Sequence, residues 1–95
     1  MKRAQETCTS ANILDCEVGT TGPMGGDAGH GGETYIRLQD AASTAWHIVV
    51  ADESGKEVVI EQPRSVRIVV QGDAELQTLA ESLEWAAQKI KDLSS

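Results

Sequence analysis

The stretch at residues 46–71, WHIVVADESGKEVVIEQPRSVRIVVQ, decides the fold. Apolar and polar side chains alternate along three short segments, a pattern typical of β-strands with one face turned to a core. Ser54-Gly55 and Pro63-Arg64 separate the segments. Both pairs suit tight turns, because glycine accepts a positive φ and proline fits the second turn position. Connections this short predict antiparallel strands at residues 46–52, 57–61 and 65–71.

Two further strands are predicted before this stretch, at residues 13–18 and 34–40, where side chains again alternate. Residues 1–10 are polar, and we expect them to be frayed. After the last strand, Asp73 is expected to cap a helix at residues 74–93. The apolar side chains of this helix recur three and four residues apart, at Leu76, Leu79, Leu83, Ala86, Ile90 and Leu93.

These elements predict an α+β fold in a single domain of 95 residues. We expect an antiparallel β-meander of about five strands, with one C-terminal amphipathic helix packed on one face. The inner face of the meander would hold Trp46, Ile48, Val50, Val58, Ile60, Val66, Ile68 and Val70. Valines also occur on the other face, which indicates a second cover such as another subunit. A coiled-coil seam is the alternative for the helix, but fewer than three heptads favour packing on the sheet.

The segment at residues 19–32, GTTGPMGGDAGHGG, contains seven of the nine glycines of the chain. A flexible linker would carry more Ser, Lys or Glu, so we interpret the segment as a shaped loop. Concave runs of backbone N–H groups bind anions, and we expect this loop to fold over a small anionic ligand. The loop residues predicted to bind the ligand are Thr20, Thr21, Gly25, Gly26, Asp27, Gly29, His30 and Gly31.

The loop contains no Lys or Arg, so positive charge for an anion must come from elsewhere in the chain. Arg37 and Arg67 are the predicted sources, with Arg64 as an alternative. Trp85 falls on the polar face of the predicted helix, where a tryptophan is a candidate for stacking a base or for a subunit interface. A half-exposed tryptophan packed on its own neighbours is the simpler interpretation of the same position.

Established motifs are missing from the sequence. Neither GxxxxGK[ST] nor GxGxxG is met, and a strand rather than a helix follows the loop. Asp27 and His30 have no CxxC or HxxxH partners, so no metal and no cofactor are predicted. No GxSxG elbow occurs, and the enzyme question stays open, with a small hydrolase using His30 and Asp27 as the third hypothesis. Cys8 and Cys16 are expected to be free thiols.

The net charge of −7 disfavours direct DNA or RNA binding, because the chain repels phosphate backbones. The start of the sequence has no apolar run typical of a signal peptide, and no segment reaches transmembrane length. We therefore expect a cytoplasmic protein that does not bind membranes. A core built mostly from Val, Ile, Leu and Ala is thin, which favours a homo-oligomer.

The layout as a whole combines a strand ending in VGTTGPMGGDAGHGGETY, a β-meander and a terminal GDAELQTLAESLEWAAQKI helix. It resembles small phage-encoded proteins of unassigned function. In size and acidity it is similar to phage anti-defence proteins, which include oligomeric sponges of nucleotide immune signals and anti-CRISPR proteins. The resemblance implies a non-catalytic protein that sequesters a nucleotide-derived anionic signal through its glycine-rich loop, in the host cytoplasm. The alternative is an acidic inhibitor that blocks a basic surface of a host nuclease or effector.

Overall fold

The computed structural model describes residues 1–9, 13–26 and 30–95, with the backbone alone for Thr9 and Ile13. The described residues form six strands and one helix. The elements are β1 (Lys2–Thr9), β2 (Ile13–Thr20), β3 (Glu33–Asp40), β4 (His47–Ala51), β5 (Glu57–Glu61), β6 (Ser65–Gln71) and α1 (Asp73–Ser94). The α+β class predicted from the sequence is confirmed.

The six described strands form two antiparallel sheets rather than one meander. The larger sheet has the order β1-β2-β3-β6, and the smaller consists of β4 and β5. The chain leaves the smaller sheet at Gln62, whose φ of 46° turns the backbone just before Pro63. Beyond this turn, Asp40 N donates to Arg64 O at 2.9 Å, so β6 begins beside β3 instead of continuing the meander.

The N-terminal residues differ from the expectation of a frayed segment, because β1 covers most of them. One side-chain contact between β1 and β2 is the hydrogen bond from Thr7 Oγ1 to Asp15 Oδ1 at 2.5 Å. Polar cross-strand pairs of this kind stabilise sheets, and a sequence criterion based on apolar alternation overlooks them.

The described chain divides into two compact units. Unit 1 comprises Met1–Arg3, Gly19–Tyr35 and Val69–Ser95, and unit 2 comprises Ala4–Val18 and Ile36–Ile68. Unit 1 contains the described part of the glycine-rich loop together with the helix. Unit 2 contains the hairpin of β4 and β5, in which Ile48 pairs with Ile60, Val49 with Val59, and Val50 with Val58.

Burial is sparse in both units. Tyr35, at 5% exposure, is the buried apolar side chain among the described residues, and Thr44 is the buried polar one. The predicted inner face is wrong as a core at the hairpin, because Val50, Val58 and Ile60 are about half exposed. In the described residues β4 and β5 pair only with each other, and an isolated two-stranded sheet leaves its side chains uncovered.

The helix matches its predicted bounds within one residue at each end, but its cap does not. Gly72 is the N-cap residue, with φ 126°, and no side chain in the described residues caps the helix. Leu76 N donates to Gly72 O at 3.1 Å as the first helical hydrogen bond. Asp73, predicted as the cap, is instead the first residue of α1, and its carboxylate points to the glycine-rich loop.

Candidate functional site

The carboxylate of Asp73 is held by backbone N–H groups of the glycine-rich loop. Met24 N donates to Oδ1 and Gly25 N donates to Oδ2, each at 2.9 Å. In the other direction, Asp73 N donates to Gly26 O at 2.6 Å. We call this arrangement the Asp73 clasp. It shows that the loop binds a two-oxygen anion through consecutive backbone N–H groups, and that this anion belongs to the chain itself.

The clasp depends on an unusual backbone conformation at Gly25, whose φ is +83°. This left-handed region is strained for residues that carry a β-carbon. Alternation of left-handed and ordinary conformations is how successive N–H groups turn toward one anion. The sequence prediction that this loop is shaped to present N–H groups therefore fits the geometry, although the anion was expected to be a ligand.

Thr20 and Thr21, two predicted ligand-binding residues, make hydrogen bonds at the start of the loop. Thr20 Oγ1 lies 2.8 Å from Thr34 Oγ1 and accepts from Gly22 N at 3.0 Å. Thr21 Oγ1 accepts from Glu33 N at 3.0 Å and donates to Gly22 O at 3.1 Å. Both hydroxyls thus join the two ends of the loop.

The glycines of the loop are also tightly packed. At Gly19, an added β-carbon would lie 2.8 Å from Cζ of Tyr35, so the tyrosine ring covers this glycine. A β-carbon on Gly26 would lie 2.7 Å from the carbonyl carbon of His30, and one on Gly32 would lie 2.6 Å from Gly22 O. Close packing therefore accounts for three glycines of the loop, of which Gly26 was a predicted ligand-binding residue.

The predicted arginines lie in unit 2. Arg37 on β3 faces Glu17 on β2, with 3.6 Å between Nη2 and Oε2, and it also donates to Gln39 Oε1. The Arg37 and Glu17 side chains are 17% and 21% exposed. Arg67 is an exposed residue on β6. A half-buried ion pair lowers the charge that Arg37 can offer to a ligand.

Trp85 is 65% exposed on α1, beside an open groove of about 570 Å³ that it lines with Glu81, Ser82 and Ala86. His30 and Gly31 are exposed at the end of the loop. Asp27 and Gly29 lie outside the described residues, as does the pairing of Asp27 with His30 on which the hydrolase hypothesis rests. Trp46 is half-buried, and its indole N–H meets no acceptor in the described residues.

The two cysteines are free thiols that line one shallow groove between β1 and β2. Burial raises the pKa of the Cys16 thiol, with further contributions from Cys8 and Glu6, whereas Arg37 acts in the opposite direction. A raised pKa reduces the thiolate fraction of Cys16 and therefore its reactivity. The pair gives no indication of a nucleophile.

No group of three or more His, Cys, Asp or Glu side chains in residues 1–9, 13–26 and 30–95 is placed to hold a metal ion. In the same part of the chain, no helix combines the length and apolar character needed to cross a membrane.

Sequence reasoning missed the role of Asp73 because an acidic residue at the start of a helix is the usual pattern of an N-cap. The sequence alone does not distinguish such a cap from a carboxylate that binds the loop. The signal that could have found it is topological. Gly72 N donates to Gly32 O at 2.9 Å, so the end of β6 meets the end of the loop. An acidic residue next to that junction comes within reach of the loop amides.

Comparisons of the chain with known protein families, with curated proteins and with solved structures found no match. The resemblance to phage anti-defence proteins stays a prediction from the sequence. Functional residues consequently have to be argued from the geometry of this chain.

Proposed function

We propose that this chain is a non-catalytic binding protein that takes up a small anionic, nucleotide-like molecule and functions as a homo-oligomer. The observation that supports the ligand class is the Asp73 clasp, in which Met24 N and Gly25 N hold two carboxylate oxygens. Phosphate groups present pairs of oxygens to backbone amides in the same way. A ligand of this class would compete with Asp73 for the loop.

Trp85, another predicted ligand-binding residue, would contact the rest of the ligand. Trp85 is exposed on α1 in the same unit as the loop, and aromatic faces stack bases without sequence preference. Sequestration of a nucleotide immune signal by a phage protein in the host cytoplasm is the biological role that we attach to this proposal. It rests on the resemblance of the sequence and on the clasp.

The proposal is tested with the Asp73→Ala variant. Removal of the carboxylate frees two N–H groups, so Asp73→Ala should bind a phosphate-bearing ligand more tightly than the wild type does. Thermal shift and calorimetry against cyclic dinucleotides and NAD-derived compounds measure this. Asp92→Ala is the matched control, because it removes the same charge from the other end of the same helix, where Asp92 accepts from Gln88 at 2.9 Å. Equal responses of all three proteins to every compound would contradict the proposal.

A second candidate function is the acidic inhibitor of a basic protein surface. The hairpin favours it, because Asp52, Glu53, Glu57 and Glu61 are all exposed there beside a single lysine, Lys56. A partner with a basic groove would be drawn to this surface, and association would weaken steeply with salt. Binding of a basic nuclease with strong salt dependence, in a sample that shows no small-molecule thermal shift, would favour this function over sequestration.

A further inference from the structure

We propose that the subunits associate head to tail, with the end of α1 from one copy seated on the apolar face of the β4–β5 hairpin of a second copy. The hairpin face is the set Ile48, Val50, Val58 and Ile60. The helix end is the set Leu83, Ala86, Ile90 and Leu93. This inference rests on the homo-oligomer of the proposed function and names the two surfaces that form its interface.

The hairpin face is wholly apolar. Ile48 opposes Ile60 and Val50 opposes Val58, and directly opposed residues in an antiparallel pair share a face. Val50, Val58 and Ile60 are 51%, 53% and 48% exposed. Contiguous exposed aliphatic side chains on a soluble chain mark an interaction surface.

The helix end is exposed in the same manner. Leu83 is 39% exposed, Ile90 66% and Leu93 85%, whereas Ala86 is half-buried. Leu79 is also half-buried and shares a groove with Val70 at the end of β6. The apolar stripe of α1 therefore extends well beyond the part that its own unit covers.

The two surfaces match in length. Residues 83–93 of a helix extend about 15 Å at 1.5 Å per residue. Five-residue strands such as β4 and β5 extend about 16 Å at 3.3 Å per residue. A helix laid along the hairpin would thus cover the whole face.

Charge favours this pairing over a contact between two hairpins. The hairpin carries Asp52, Glu53, Glu57 and Glu61 against Lys56, so two hairpins facing each other would place acidic groups together. Toward its C-terminus the helix end carries Lys89 and Lys91 against Asp92, and Glu84 lies at the start of the stripe. Residues 83–93 therefore have no net charge, whereas the hairpin is acidic. Opposite charges at the rim of an interface favour association and fix the partner, whereas like charges oppose it.

A head-to-tail contact uses a different surface on each copy. Each copy then contributes its helix end to one neighbour and its hairpin face to another. If successive contacts return to the first copy, the assembly is a closed ring. We therefore propose that a second copy of the chain covers the hairpin face, since its helix end supplies both the apolar stripe and the lysines.

Two defective variants test the arrangement by complementation. Val50→Glu disables the hairpin face, and Ile90→Glu with Leu93→Glu disables the helix end. Each variant alone should sediment as a monomer at low micromolar concentration. An equal mixture should give a dimer of twice the monomer mass, because one intact helix end meets one intact hairpin face and the other pairing is blocked.

Matched controls separate the interface from general effects of charge. Val49→Glu places the same charge on the opposite face of the same strand, at 49% rather than 51% exposure. Gln88→Glu adds charge to α1 away from the stripe. Both controls should assemble as the wild type does. Circular dichroism establishes that each variant is folded, and Val50→Thr replaces Val50→Glu if the latter is not.

The outcomes separate this inference from the proposal on which it rests. A monomeric wild type would overturn both the homo-oligomer and the head-to-tail contact. An oligomeric wild type whose two variants are monomeric but do not combine would overturn the head-to-tail contact alone. Assembly that survives both substitutions would place the interface elsewhere and would also overturn this inference.

Discussion

The glycine-rich loop and the β4–β5 hairpin each differ from what their sequences predict, and they differ in opposite ways. The sequence predicts that the backbone N–H groups of the loop bind a ligand. In the structure, Met24 N and Gly25 N instead donate to a carboxylate of the same chain. The hairpin consists of Val and Ile residues that indicate a core, yet Val50 and Val58 are about half exposed. In the described residues, two loop donors are therefore satisfied by the same chain, whereas the hairpin valines are left exposed.

This difference between the loop and the hairpin indicates at which of the two a binding partner would gain more free energy. Displacing Asp73 from the loop exchanges one set of charge-assisted hydrogen bonds for another, so the net gain for an anion is modest. Covering the hairpin face removes apolar surface from water, which contributes about 25 cal/mol per Å². In the described residues, β4 and β5 pair only with each other. The stronger drive to association in this chain therefore comes from its aliphatic surfaces.

Among the substitutions that test this comparison, Gly19→Ala is expected to lower the free energy of unfolding most. A β-carbon at this position meets the ring of Tyr35, which is 5% exposed and has little room to move. Overpacking of this kind costs about 1–3 kcal/mol of unfolding free energy. Urea unfolding measures the loss.

A double-mutant cycle supplies the control for Gly19. In a Tyr35→Ala background the added methyl group has no ring to displace, so Gly19→Ala should then have little effect on stability. The same loss in both backgrounds would show that the ring contact does not explain this glycine, and the loop would again need a ligand to account for it.

A smaller effect is expected from the loss of the Asp73 clasp. Asp73→Ala removes a carboxylate that accepts two N–H groups, in an exposed setting, and we expect a loss of roughly 1–2 kcal/mol. Asp73→Asn keeps one oxygen acceptor and should lose less. Thermal unfolding checks the order wild type, Asn, Ala; equal stability of all three would mean that the clasp does not hold the loop.

Sequence reasoning succeeded where the determinant is local. Alternation and turn chemistry gave β5 and β6 at their observed bounds, and Gly55 has the positive φ expected of its turn, at 87°. The helix stripe gave α1 within one residue at each end. These features depend on neighbours a few positions apart, which a sequence displays directly.

The failures involve two long-range contacts and one strand whose sequence is polar. The pairing of β6 with β3 instead of β5 depends on the turn at Gln62, and polar strand β1 has no apolar alternation to reveal it. Likewise, Asp73 contacts Met24 across 49 positions of sequence, which a local capping rule cannot anticipate. For the candidate site, the loop was found from the sequence, whereas the anion that it holds was not.

The smallest effect on stability is expected at the tip of the hairpin, where a carboxylate accepts hydrogen bonds within the turn. Asp52 Oδ1 accepts from Ser54 N at 2.9 Å, Ser54 Oγ at 2.6 Å and Lys56 N at 3.0 Å. These bonds lower the pKa of Asp52, with the Ser54 hydroxyl as the largest cause and Lys56 N–H as the next. The ionised carboxylate therefore stabilises the folded state.

The sign of the pH dependence follows from that lowered pKa. The stabilisation is fully present above the unfolded pKa of about 3.9, and it is lost as the pH falls through the lower folded value. Asp52→Asn carries no titrating group, so the stability difference between it and the wild type should shrink as the pH falls from neutral to about 3. Thermal unfolding across that range measures the difference, and Glu53→Gln reports the effect of removing one charge from the same turn. A difference for Asp52→Asn that stays constant down to pH 3 would mean that the three hydrogen bonds at the tip do not depend on the charge of Asp52.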